Sequence, residues 1–308
     1  MSQMIKFVSR RLLLLIPVII GVSLISFSIM HMIPGDPARI IAGEGATKED
    51  IEVIRTKYGL DKPLIEQYIR FMRGVLINDL RSIKTEKPIF GEILPRFSNT
   101  VQLAAVSIVI SSLAGIFLGI ISAVKRNTWV DNFAMIFSLT GVSMPIFWLG
   151  ILLIIIFSVV LKWLPSGGKG GIQHIILPAI TLGLATSAVI ARMTRASMLE
   201  VLNQDYVRTA RAFGLPERKI VYKYTLKNAL VPVITVIGLQ FGYLLGGAVL
   251  TESVFGWPGL GKYIVDSIFS RDYIAVQVGI MIIAVSFVLV NLIVDILYVF
   301  VDPRLRRG

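Results

Sequence analysis

The chain has 308 residues, 55% hydrophobic and 16% charged, with a formal net charge of +12, no cysteine and two histidines. A charge content this far under the roughly 25% of soluble domains excludes an ordinary soluble globular protein. Without cysteine there are no disulfides or thiolate metal sites, and His31 and His174 lie too far apart in sequence to suggest a metal or acid–base centre, so no bound metal is expected. The basic residues flank long apolar runs instead of forming an aromatic-rich basic domain, which fits membrane orientation and argues against nucleic acid.

About 20 apolar residues in helical form cross a bilayer. Six stretches qualify, at 12–32, 101–124, 133–161, 175–191, 231–250 and 276–301. The expected fold is therefore an all-α polytopic membrane protein with about six transmembrane helices. The first span follows Lys6, Arg10 and Arg11 as a signal peptide would. Its apolar stretch is too long for one and no A-x-A site follows, so it reads as a retained helix.

Segment 34–98 is too long for a simple loop. Residues 51–58 and 64–75 read as short amphipathic helices, with Gly59-Leu60-Asp61-Lys62-Pro63 as the turn between them and Thr47 with Asp50 as a cap. It is a small cap segment, too small for a core of its own. In the fourth span, Pro178, Thr181, Thr186 and Ser187 suit a helix packed on other helices, not one facing lipid.

Gly115 and Gly119 in the second span, and Gly238, Gly242 and Gly246 in the fifth, recur at four-residue spacing. Such faces permit close helix contact, within the subunit or at a seam with a second permease. The sharper reading is a pathway wall, with Gln240, Gly242, Thr181 and Thr186 as candidate lining residues. Few other polar groups lie in the spans, so part of any polar pathway is expected from a second chain. Asn291 and Asp295, one turn apart on the last helix, read as an ion pair or helix anchor in preference to a proton relay.

Lys and Arg crowd four segments: the N-terminus, the second–third connection, the fourth–fifth connection and the C-terminus. Six spans put all four on one side, so both termini are expected in the cytoplasm. Gly256 to Tyr263 nearly fits the phosphate loop G-x-x-x-x-G-K-[ST], but Tyr263 replaces the metal-binding hydroxyl and no strand precedes it. A tight turn held by Trp257 is expected there, and the energy source must be another polypeptide. Nothing resembles a catalytic arrangement, so the chain is not read as an enzyme.

Segment 192–228 is long, basic and helix-prone, and is broken by Gly214-Leu215-Pro216. Gly suits a helix end and Pro the first turn of the next helix. The expectation is a helix, a sharp turn and an amphipathic helix re-entering the membrane, which offers an exposed helix to a groove on a partner.

This segment resembles the cytoplasmic loop of ABC importer permeases: E-A-A, three residues, Gly, nine residues, I-x-L-P. Aligned on Gly214, the chain has Arg208-Thr209-Ala210 and Tyr224-Thr225-Leu226-Lys227, so Ala210, Gly214 and Leu226 match strictly. The variant from Tyr206 to Leu215 is similar to that of peptide and nickel importer permeases. Other stretches resemble the same subfamily: His31 to Pro37, Tyr58 to Leu64, Arg96 to Thr100, Glu252 to Gly261, Arg271-Asp272-Tyr273 and Asp302-Pro303-Arg304. Together and in this order, they resemble the first of the two permeases of a dipeptide, oligopeptide or glutathione importer.

The resemblance implies a type I ABC importer transmembrane domain in a bacterial or archaeal plasma membrane. It divides the chain into an N-terminal helix (1–33), an extracytoplasmic cap (34–98), a transmembrane core (99–301) carrying the coupling loop 192–228, and a cytoplasmic tail (302–308). It implies a second homologous permease, two cytoplasmic ATPases carrying ATP and Mg, an extracytoplasmic binding protein and the lipid bilayer as partners, with no cofactor on this chain. Residues 205–215 would be the coupling helix, with Asp205, Tyr206, Arg208, Thr209, Ala210, Arg211, Gly214 and Leu215 as the ATPase-coupling set. Glu252 and Trp257, at the outer mouth, would touch the binding protein. A nickel or nickel-chelate importer, an ion-driven carrier and a channel are the competing readings.

Overall fold

A computed structural model describes residues 2–32, 36–43 and 45–301; among these, the structure is helical apart from turns and one isolated bridge between Arg81 and Pro88. Residues 33–35 of the first motif and the tail 302–308 lie outside the described residues.

Helix α1 (Ser2–Met32) leads to the cap helices α2 (Pro37–Ala42), α3 (Lys48–Tyr58) and α4 (Leu64–Ile77). The cap follows its sequence closely. Thr47 and Asp50 form the expected reciprocal capping box, and Gly59 ends α3 at φ +67°. It shares a core with the bundle: Phe71 of α4 packs with Ile89, Ile93, Leu260, Ile264 and Val276. Asp36 caps α2 and pairs with Arg55 at 2.6 Å.

The second span, α5 (Ile89–Val124), starts twelve residues before the expected position, because Ile89 and Ile93 extend its apolar face onto the cap. The third span departs from expectation. Instead of one helix over 133–161 there are two, α6 (Trp129–Ser143) and α7 (Ile146–Leu153), the latter continuing as a wider π-helix over Ile154–Val160. Pro145 causes the break, since it lacks an N–H and disfavours helical geometry at Met144.

The fourth span, α8 (Gln173–Leu202), is the centre of the bundle. Its best membrane-length window is 61% buried, against 28% or less for the other three long apolar helices, so it faces protein and not lipid, as its small residues require. Its most extensive packing is on α5. A Cβ added at Gly115 or Gly119 would stand 2.7 Å from the carbonyl oxygen of Ser187 or Ala191, so only glycine lets these backbones meet. The buried hydroxyls of Thr181, Thr186 and Thr194 donate to carbonyls one turn back, which satisfies them in a medium without water.

The chain then forms α9 (Asp205–Ala212), the single turn α10 (Glu217–Lys219), a π-helical stretch Ile220–Thr225 and the fifth span α11 (Leu226–Gly247). Short helices α12 (Val249–Val254) and α13 (Leu260–Phe269) precede the sixth span, α14 (Tyr273–Val301). Cβ atoms added at Gly238, Gly242 and Gly246 would meet Val294, Phe287 with Val290, and Ile283, so this stripe is a packing seam with α14 inside the subunit. The long apolar helices are Ile89–Val124, Gln173–Leu202, Glu217–Gly247 and Tyr273–Ile296; shorter apolar stretches at Leu12–Ser28 and Ile146–Val160 stand where the first and third spans are expected.

Candidate functional site

Most residues of α9 are exposed, at the end of the bundle opposite the cap. Asn203 and Gln204 interrupt the helix that rises from α8, and α9 starts afresh at Asp205. Val207 and Ala210, three residues apart, are its buried stripe and pack on Ile220 with Val201, Leu202 and Leu215 around them. Gly214 follows at φ +73°, a conformation that costs any residue with a Cβ about 1 kcal/mol or more. Open space surrounds it, so the backbone angle, not crowding, requires glycine.

Two ties fix α9 to the returning chain. Arg211 donates to both carboxylate oxygens of Glu217 across the turn, at 2.7 and 3.4 Å. Asn228 Nδ2 donates to Tyr206 Oη at 2.8 Å, and that hydroxyl lies 3.3 Å from the Tyr224 carbonyl oxygen it donates to. The predicted set therefore divides. Asp205, Arg208 and Thr209 are exposed, while Ala210 and Leu215 turn inward and Tyr206 and Arg211 brace the helix. Ala210 and Leu215 hold the element in place and do not present it. Sequence reasoning missed Phe213, 80% exposed at the end of α9. An aromatic on the polar side of an amphipathic helix was the available signal.

Behind α9 lies an ion pair also missed at the sequence level. Arg195 of α8 donates Nε and Nη2 to the two oxygens of Asp131 at 2.9 and 2.7 Å. Ser122 Oγ of α5 also donates to Asp131, as does the Asn127 N–H at 3.0 Å. Asp131 stands in the first turn of α6, where the Arg195 guanidinium compensates the burial of its carboxylate. The cluster fastens α5, α6 and α8 together one helical stretch before α9. In the sequence Arg195 is one basic residue of segment 192–228, and nothing in its spacing points to a residue 64 positions away.

The predicted pathway residues are not brought together on an open face. Thr181 is fully buried and Thr186 is 4% exposed, both on the packed side of α8. Gly242 faces Phe287, Val290 and the side-chain oxygen of Asn291, an oxygen buried without a hydrogen-bond partner. These three belong to helix packing, and only Gln240 stays partly accessible.

Glu252 and Trp257 are corrected too. Both are buried, at 0% and 3% exposure, so neither side chain can reach a docked protein. The Glu252 carboxylate accepts from Thr100 Oγ1 at 2.6 Å and from the Lys262 N–H at 2.9 Å. Trp257 Nε1 donates to the Asn99 carbonyl at 3.0 Å, and Asn99 Nδ2 donates to the Pro258 carbonyl at 2.8 Å. A Cβ at Gly259 would occupy the space of the Glu252 carboxylate, which explains that glycine. Burial pushes the Glu252 carboxyl up. The phosphate-loop look-alike is this knot: a tight turn that ties α12 and α13 to α5.

Comparison with known proteins supplies the rest. Residues 115–307 match the family described as binding-protein-dependent transport system inner membrane component, and residues 4–106 its N-terminal companion. The chain is 45% identical, over 98% of its length and all of the relative's, to the dipeptide transport system permease protein DppB of Alkalihalophilus pseudofirmus. It is 47% identical, over 98% of its length and 99% of the relative's, to the glutathione transport system permease protein GsiC of Escherichia coli K12. Among solved structures, the inward-facing MetNI methionine ABC transporter matches with a TM-score of 0.58 at 20% identity, over 70% of this chain and 99% of that one.

Proposed function

The chain belongs to the inner membrane components of binding-protein-dependent transport systems, and on that premise we propose that it is one permease of an ATP-driven importer of small peptides, of the dipeptide, oligopeptide or glutathione class. The observation that carries the cargo is near-full-length similarity to both a dipeptide and a glutathione permease. The assembly proposed is this chain, a second homologous permease, two ATPases holding ATP and Mg, and a binding protein on the cap side. The end bearing α9 and both termini then face the cytoplasm.

In this reading α9 is the coupling helix. Asp205, Arg208, Thr209 and the Phe213 ring enter a cleft of an ATPase, while Val207 and Ala210 seat the helix on its own subunit. Nucleotide-driven closure of the ATPases moves α9 as a rigid body, because Arg211–Glu217 and Tyr206–Asn228 leave it no independent swing. The motion passes into α8, which contacts α5, α6, α7 and α11, and so shifts the bundle between two arrangements. Loss of Glu252 and Trp257 as contacts moves binding-protein docking to exposed cap-side groups such as Phe269, 83% exposed at the end of α13. The pathway forms at the face completed by the second permease, with Gln240 the retained candidate on this chain.

The test is ATP-dependent uptake of labelled dipeptide, glutathione and nickel ion, measured in parallel in cells lacking the gene and in complemented cells. Selective loss of a peptide ligand is expected. Selective loss of nickel, or uptake that survives ATP depletion while the ion gradient is kept, would overturn the reading.

A further inference from the structure

A cavity of about 680 Å³ lies where the cap meets the outer ends of α1 and α14. Its floor is set by Phe27 of α1, Phe71 of α4, and Ile274 and Gln277 of α14. Hydrogen bonds join α1 to α14 beside it: Ser26 Oγ donates to the Gln277 carbonyl at 2.7 Å, and Gln277 Nε2 donates to the Phe27 carbonyl at 3.3 Å. Ser23 and Tyr68 share a hydrogen bond of 2.7 Å, which lays α4 against α1 at the same level.

The lining is unbalanced in charge. Of its ionisable groups, Lys57 is neutralised by Glu86 at 3.0 Å. That leaves the guanidinium groups of Arg70, Arg73 and Arg81 against the single carboxylate of Asp79. Among the described residues no carboxylate is within ion-pair distance of Arg70 or Arg73. Arg70 and Arg73 are exposed and stand on the face of α4 that lines the cavity. A second observation concerns α4 alone. Ile65, Ile69 and Leu76 are 76%, 59% and 80% exposed and fall on one stripe, away from the residues that touch α1 and from those that line the cavity. An apolar stripe beside arginines, on a helix lying at the level of span ends, is the make-up of a helix seated in a membrane surface.

We propose that this cavity binds the phosphate headgroup of one anionic phospholipid, in the leaflet on the cap's side of the membrane, with the α4 stripe against the acyl boundary. The phosphate pairs with Arg70 and Arg73, the fork geometry of guanidinium suiting a phosphate bidentately. The bound lipid closes the seam between cap and bundle and fixes the cap's height above the bilayer. The inference rests on the membrane fold alone and not on the cargo or on which side is cytoplasmic.

The test uses the purified full-length chain in nanodiscs of phosphatidylcholine with increasing phosphatidylglycerol, and reads lipid retention by native mass spectrometry after gentle release. Phosphatidylglycerol is expected to be retained selectively, and the double variant Arg70→Gln, Arg73→Gln to weaken that retention on the order of 30-fold. Both arginines are exposed, so the variant is expected to fold; the wild-type apparent Tm in phosphatidylcholine checks this. Photo-crosslinking of a headgroup-labelled lipid should map to the segment from Ile77 to Ile83. Equal retention of both lipids, retention unchanged in the variant, or crosslinks elsewhere would each overturn the proposal. Full competition by millimolar inorganic phosphate would also overturn it, and would reassign the site to a soluble anion. No uptake is measured, so failure here leaves the transport reading untouched.

Discussion

Replacing Asp131 is the sharpest test of the proposal that motion passes between α9 and the bundle through α8. In Asp131→Ala, Arg195 loses both of its charge-assisted hydrogen bonds, and Ser122 and the Asn127 N–H lose their acceptor. Breaking a fully buried pair costs about 3–5 kcal/mol. The Asp131 side chain is 3% exposed but that of Arg195 is 27% exposed and can recover some water, which lowers the expectation to about 2–3 kcal/mol. Asp131→Asn keeps one acceptor oxygen, for Ser122 or for the Asn127 N–H but not both, and should cost about 1–3 kcal/mol. The double variant Asp131→Ala, Arg195→Ala should be more stable than the sum of its parts by about 2 kcal/mol, since neither leaves the other stranded. Apparent Tm at a fixed scan rate measures the stability side. The ratio of ATP hydrolysed to peptide imported measures the coupling side, and Asp131→Ala should raise it severalfold. Additive single variants, or an unchanged ratio, would refute the argument that this pair carries motion between α8 and the third span.

Phe213→Ala should leave apparent Tm unchanged and weaken ATPase association about tenfold, consistent with loss of an exposed aromatic anchor; Val207→Asp should instead unseat α9 and lower Tm. Gly119→Val should fail to assemble a native bundle, because its Cβ would stand against the Ala191 carbonyl and Thr194, and protease sensitivity of the inserted chain reads this directly. Burial raises the Glu252 carboxyl, so the folded state resists its ionisation and stability from this group falls as pH rises above the ordinary carboxylate range. Glu252→Gln should match or exceed wild type in Tm at pH 7 and flatten that pH dependence, whereas Glu252→Ala should cost about 2–3 kcal/mol by orphaning Thr100 and the Lys262 N–H. A Tm for Glu252→Gln well below wild type at pH 7 would show that the carboxylate is needed as an anion.

Local chemistry wrote much of this protein into its sequence. The lengths of the apolar runs give the spans, since a bilayer admits only helices of about that length. Thr47 and Asp50 announce the start of α3, and Gly214 with Pro216 announces the turn after α9, because caps and turns are decided within four residues. The small residues of α8 already say that it is central, since lipid-facing helices have no use for them. Pro145 also marked the break in the third span, but the surrounding apolar run hid it. What the sequence left open is which side of each helix meets which neighbour. Thr181, Thr186 and Gly242 have the chemistry of a pathway and the positions of packing residues; Glu252 and Trp257 have the chemistry of a docking surface and lie in a sealed knot. The Asp131–Arg195 clamp and the basic cavity under the cap join residues far apart in the chain. Burial and pairing of that kind are properties of the packed bundle, fixed by backbone approach at Gly115 and Gly119, and no local pattern encodes them.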